Sequence, residues 1–253
     1  MIWRGLLVSV RNAAEAAEAL AGGASIIDVK EPLAGPLGAA SPAAIVEIAR
    51  VVGCGKPWTM ACGELLEGVA TILERIGQVV ALLGGEAVPP AAIKMGLAGM
   101  AAAAWQDQLA EVRAGLPAGI PQVAVAYADW KHVAAPCPME VIEAAARLGC
   151  GMLLVDTADK SAGRLLESTP EAELANWVAH ARRRGLGVAL AGKIAITEIP
   201  AVVALGPDVV ALRSAVCSNG RLGAVQRRLV NAAVAAAAAP ATAFQAAFGE
   251  QQL

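Results

Sequence analysis

The chain has 253 residues, of which 57% are hydrophobic, 17% charged and only 3% aromatic, and its formal net charge is -2. That much apolar mass can fill a large core, which excludes a disordered chain. The missing basic excess excludes a phosphate-neutralising face for nucleic acid and a polybasic membrane-surface patch.

Taken in order, short apolar runs of strand length alternate with amphipathic or Ala-rich stretches of helical length. Leu6–Val10 and Asn12–Ala21 are the first such pair, Ser25–Lys30 and Pro42–Val52 the second, and Trp58–Gly63 and Gly68–Leu83 the third. Ala92–Leu97 with Ala101–Ala114, and Val123–Ala128 with Pro138–Leu148, follow. Gly151–Thr157 with Pro170–Arg184, Gly187–Gly192 with Thr197–Leu205, and Asp208–Ser214 with Leu222–Ala238 complete the series. The runs are apolar on both faces, as buried parallel strands are. Ser41-Pro42 and Thr169-Pro170 read as helix starts, and Gly22-Gly23, Gly149 and Gly185 as helix stops.

Eight strand–helix units of about 32 residues each match the spacing of a single (β/α)8 barrel of the TIM type. A doubly wound sheet would carry a Gly-rich turn after its first strand; here that turn reads SVRNAAEA. One domain is expected over residues 1–239, with 240–253 as a C-terminal tail. No run of about 20 apolar residues is free of charge or proline, so no membrane span is expected. The first apolar run is too short for the core of a signal peptide. The five cysteines form no C-x-x-C pair, so free thiols in a reducing cytoplasm are expected.

In such barrels the reaction site lies at the C-terminal ends of the strands. Those ends carry Asp28 and Lys30, Lys94, Tyr127 and Asp129, Asp156 with Lys160 just beyond, Lys193, and Arg213, Ser214 and Cys217. Only six lysines occur in the chain, and Lys30, Lys94, Lys160 and Lys193 all fall here. A solvated surface lysine is the ordinary expectation. It fits poorly for Lys94, set between Ile93 and Met95, and for Lys30, which closes a run of Ile, Ile and Val. A lysine in an apolar pocket near other cations loses basicity and becomes a nucleophile for carbonyls, so a Schiff-base or general-base lysine is expected. Lys94→Ala is expected to abolish turnover and spare the fold.

Several cations in one mouth suit an anionic substrate. The loops after strands 7 and 8 of a barrel often hold phosphate with backbone amides and a helix N-terminus. Gly192, Lys193, Arg213, Ser214 and Gly220 are the candidates, with the last helix opening just after Asn219-Gly220. The plainer alternative is that Arg213 pairs with Asp28 or Asp156 and the loop is only a turn. His132 and His180 read as loop and surface residues, and Cys217 as a packed small residue. No His/carboxylate cluster has metal-ligand spacing, so no metal is expected.

The segments IIDVKEPLAGPLGA (Ile26–Ala39), IKMGL (Ile93–Leu97), VAYADW (Val125–Trp130), LLVDTADKSAGRLL (Leu153–Leu166), ALAGKI (Ala189–Ile194) and LRSAVCSNGRLG (Leu212–Gly223) resemble the (5-formylfuran-3-yl)methyl phosphate synthase family. The resemblance runs from the first strand to the last helix. It implies that two molecules of glyceraldehyde 3-phosphate are condensed, with loss of phosphate and water, for a methanofuran-type one-carbon carrier. The high Ala and Gly content favours a methylotrophic bacterial setting. The resemblance further implies that Lys30 forms the Schiff base and Lys94 accepts a proton, and it places Asp28, Asp156 and Lys160 on functional positions. No metal or organic cofactor is implied, and a cytoplasmic homo-oligomer is expected. The loop after strand 8, SerAsnGlyArg, is more compact than in relatives. Another Schiff-base aldolase of phosphorylated sugars, or a barrel that only binds a phosphometabolite, are the competing readings.

Overall fold

Strands buried on both faces pair in parallel only if helices cover the outside, and that is the arrangement in the computed structural model, which describes residues 2–84 and 87–239. The strands are β1 (Gly5–Val10), β2 (Ile26–Val29), β3 (Trp58–Glu64), β4 (Ala92–Gly96), β5 (Gln122–Tyr127), β6 (Met152–Asp156), β7 (Gly187–Leu190) and β8 (Val209–Leu212). They form a closed barrel in chain order, each neighbour parallel, with β8 returning to pair with β1. The helices are α1 (Ala13–Ala21), α2 (Pro42–Val52), α3 (Val69–Leu83), α4 (Trp105–Gly115), α5 (Pro138–Arg147), α6 (Leu165–Ser168), α7 (Glu171–Arg183), α8 (Ile199–Ala204) and α9 (Arg227–Ala238). The chain is thus a (β/α)8 barrel, as its periodicity implies. The tail expected at 240–253 lies outside the described residues.

Alternation along the strands divides the core in two. Outward residues such as Val8, Ile27, Met60 and Leu153 pack beneath the helices. Inward residues, among them Leu7, Ile26, Val125, Leu154 and Ala211, fill the barrel itself. Small alanines at 61, 92, 189 and 191 keep the interior compatible with closure. Among the described residues, no helix is long and apolar enough to cross a membrane.

Three boundaries depart from expectation. Helix α4 begins at Trp105 instead of Ala101, because the backbone before it bonds sideways: Gly99 N–H donates to Val133 O and Ala101 N–H to Ala134 O. A short extra helix, α6, follows β6. Helix α9 begins at Arg227 instead of Leu222. Residues 217–226 are held as a closed loop by an antiparallel bridge between Cys217 and Val225 and by Ser218 N–H to Ala224 O. The N-terminus of α9 therefore lies away from the mouth, and its Arg227 N–H donates to the Glu18 carboxylate at 3.1 Å.

Candidate active site

Register places a polar row just inside the mouth. Ser9 on β1 faces Asp28 on β2, and Asp28 faces Thr59 on β3. Each hydroxyl therefore reaches a different carboxylate oxygen: Ser9 Oγ donates to Asp28 Oδ2 at 2.9 Å and Thr59 Oγ1 to Oδ1 at 2.8 Å. Lys94, inward on β4, completes the row with Nζ 2.7 Å from Asp28 Oδ1. Burial alone would push the Asp28 carboxyl up. The charges of Lys94 and Lys30, with hydrogen bonds from Lys94 and Thr59, outweigh it and hold the group below its ordinary value. The pairing also changes the expectation for Lys94→Ala: it would leave a buried carboxylate without its cation, so the fold would not be spared.

A second ion pair stands across the barrel. Asp156, at the end of β6, accepts from Lys160 Nζ at 2.7 Å and from the Thr157 N–H at 2.8 Å. Its carboxyl is pushed up by burial and brought below its ordinary value by Lys160, Lys30 and these hydrogen bonds. Lys160 also donates to the carbonyl and hydroxyl of Thr157. Its loop is anchored by Asp129, whose carboxylate accepts the N–H groups of Ala158 and Asp159 at 2.8 Å.

Lys30 lies between the two pairs. It is buried, it lines the cavity, and its side-chain amine makes no hydrogen bond or ion pair with the described residues. Burial brings its pKa down from 10.5 to about 8. The cations Lys160 and Lys94 act in the same direction, and Asp156 and Asp28 oppose them. The ammonium is thus disfavoured where a neutral amine has carboxylates and ammoniums within reach for proton exchange.

The remaining wall comes from β7, β8 and their loops. Gly192, Lys193, Arg213 and Ser214 line the same cavity as Lys30, whereas Gly220 is not part of its wall. At Gly192 φ is +118°, a conformation open to glycine, and a Cβ there would come within 3.1 Å of Leu165 and Thr157. Lys193 has φ +54° and its Nζ donates to the Lys160 carbonyl at 3.0 Å.

Arg213 differs from both expectations set for it. Its partner is neither Asp28 nor Asp156 but Glu15, on the first turn of α1, which it grips with both terminal nitrogens. Further donations go to Ser9 O, Arg221 O and Gly223 O, each at 3.0 Å. All five guanidinium donors are thereby used within the protein. Arg213 fixes the loop, and Arg221, which sequence reasoning missed, presents the available guanidinium. Arg221 is half-buried in the cavity wall and donates to Gly35 O at 2.7 Å, across the mouth in the loop after β2.

A closed (β/α)8 barrel with a buried, weakened lysine between two ion pairs at its C-terminal mouth defines a barrel enzyme. A family model described as 4-HFC-P synthase matches residues 6–234. The (5-formylfuran-3-yl)methyl phosphate synthase of Methanopyrus kandleri is 37% identical over 234 residues, covering 89% of this chain and 95% of the relative. That of Archaeoglobus fulgidus is 35% identical over 232 residues, with the same coverage of 89% and 95%. The chain belongs to the 4-HFC-P synthase family. Among solved structures, 3-hexulose-6-phosphate synthase from Salmonella typhimurium aligns with a TM-score of 0.64 at 16% identity, covering 92% of this chain and 99% of that one. Phosphoribosyl anthranilate isomerase from Thermus thermophilus aligns at 0.57 and 18% identity, with 92% and 97% covered. At those identities the likeness shows the fold alone.

Proposed function

We propose that this enzyme condenses two molecules of glyceraldehyde 3-phosphate through a Schiff base on Lys30, with loss of one phosphate and of water, to the phosphorylated furan aldehyde that its relatives are named for. The observation that carries the reading is the Lys30 amine: buried, free of protein partners among the described residues, with its pKa lowered to about 8. Relative to an ordinary lysine, that raises the neutral fraction at pH 7 roughly 300-fold.

The neutral amine adds to the aldehyde, and the resulting iminium acidifies the neighbouring C–H. Lys94, having passed its ammonium proton to the Asp28 carboxylate 2.7 Å away, takes that proton as a neutral amine. The enamine carbon then attacks the second aldehyde, and a phosphate β to a carbanion leaves. The Asp156–Lys160 pair protonates departing oxygen and activates the water that hydrolyses the final iminium, returning Lys30 as the free amine. Cyclisation with dehydration ends in an aromatic ring. Gly192 and Ser214 backbone amides with Lys193 bind substrate phosphate. The product would serve a methanofuran-type carrier in a cytoplasmic homo-oligomer, with no metal or organic cofactor in any step.

Borohydride reduction in the presence of glyceraldehyde 3-phosphate tests the covalent step. Mass should be added to the peptide holding Lys30, and turnover should produce furan-aldehyde ultraviolet absorption with phosphate release. Labelling at Lys94 or Lys160 instead would overturn the assignment.

A further inference from the structure

Six cations line the cavity: Lys30, Lys94, Lys160, Lys193, Arg213 and Arg221. Lys94 is neutralised by Asp28, Lys160 by Asp156, and Arg213 by Glu15. Lys30 is the amine proposed for the chemistry. Lys193 and Arg221 remain, and among the described residues neither faces a carboxylate within ion-pair distance. Each donates instead to a backbone carbonyl, Lys160 O and Gly35 O respectively. A carbonyl is a weaker acceptor than a phosphate oxygen, so an arriving anion can displace it.

We propose that the mouth holds two separate phosphate subsites, one centred on Lys193 with the Gly192 and Ser214 amides, the other on Arg221. The proposal rests on the reading that two phosphorylated aldehydes enter one turnover, which requires two anions to be held at once. The two cations stand on different loops, after β7 and after β8. Of the two, Arg221 reaches across the mouth to the loop after β2, which follows Lys30. Its Nε and Nη1 are unused among the described residues, and displacing the Gly35 carbonyl from Nη2 frees the planar Nε–Nη2 edge for two oxygens of one phosphate. The backbone behind it is fixed beforehand. Arg213 holds the Arg221 and Gly223 carbonyls, and the Cys217–Val225 bridge closes the loop base. Burial also pulls the Arg221 guanidinium below its ordinary pKa, the direction expected of a cation set in a wall without its anion.

The test compares wild type with Arg221→Ala and Arg221→Gln; glutamine can keep the donation to Gly35 O while removing the charge. Titration with inorganic phosphate, followed by calorimetry, should give two sites in wild type and one in each variant. Turnover with glyceraldehyde 3-phosphate should fall about 10- to 100-fold in kcat/KM, the loss of one charge-assisted pair. Millimolar guanidinium should restore part of it in Arg221→Ala. The ratio of Lys30 trapping by glyceraldehyde 3-phosphate to trapping by unphosphorylated glyceraldehyde should fall in both variants. An unchanged phosphate stoichiometry, or an unchanged trapping ratio with both aldehydes affected alike, would show that Arg221 only closes the loop. If wild type traps neither aldehyde at Lys30, the Schiff-base reading fails, and the phosphate stoichiometry alone still decides the subsite.

Discussion

Removing the Asp156 carboxylate should make Lys30 a weaker base, and removing the Lys160 ammonium should make it a stronger one. Both groups flank the same amine with opposite sign: Asp156 holds the ammonium in place and Lys160 disfavours it. Asp156→Asn leaves the Lys160 cation without its counter-charge, which adds to the downward push. Lys160→Met leaves the Asp156 anion without its partner at 2.7 Å, which adds to the upward push. A neighbouring charge in such surroundings moves a pKa by about one to three units. Wild-type trapping should therefore be half-maximal near pH 8, below that in Asp156→Asn and above it in Lys160→Met. The assay is the rate of borohydride trapping with saturating glyceraldehyde 3-phosphate, read by mass spectrometry across pH 5 to 10. Because neutral amine is the reactive form, the rate rises with pH in every case and only the midpoint moves. Midpoints that shift in the same direction in both variants, or a wild-type midpoint at the ordinary lysine value, would refute the electrostatic account.

Lys94→Ala should lose turnover and also destabilise the protein by about 3–5 kcal/mol, because a buried carboxylate is left unpaired; chemical denaturation of the single variant and of Asp28→Asn/Lys94→Met should show the double variant to be the more stable. Arg213→Ala should cost a similar amount, about 3–5 kcal/mol, by stranding Glu15, and a drop in melting temperature much smaller than that of Lys94→Ala would count against the pairing. Gly223→Ala has no room, since its Cβ would fall 1.4 Å from Ser218 O; the loop must move, and kcat/KM should drop while circular dichroism keeps the helical signal of the barrel.

The barrel was legible because its code is local. Strands buried on both faces read as apolar runs, and glycines stop the helices before them. The lysines of the site were legible for the same reason: Lys94 interrupts a strand that has no other use for a charge, and Lys30 closes one. What stayed hidden was lateral. Nothing within β1 or β3 says that Ser9 and Thr59 will share one carboxylate, because that follows from register between strands. The partner of Arg213 lies 198 residues away on α1, beyond any motif. The loop carrying Arg221 was read as the start of the last helix, since Leu222–Arg228 has a helical composition. Positive φ at Asn219 and Gly220 and the Cys217–Val225 bridge keep it open instead.

The bond between Arg213 and Glu15 also bears on how the chain is made. Glu15 ends 5% exposed, yet its counter-charge is synthesised 198 residues later. Until then the carboxylate must stay in water, which holds the first helix turn away from its final seat. The β1–β8 seam is thus the last to shut, and a nascent chain lacking β8 exposes β1 as a free edge to other chains. A ribosome stalled before residue 213 therefore displays an incomplete sheet that needs shielding. Emergence of β8 and Arg213 supplies the missing edge and the arginine that locks it in one event.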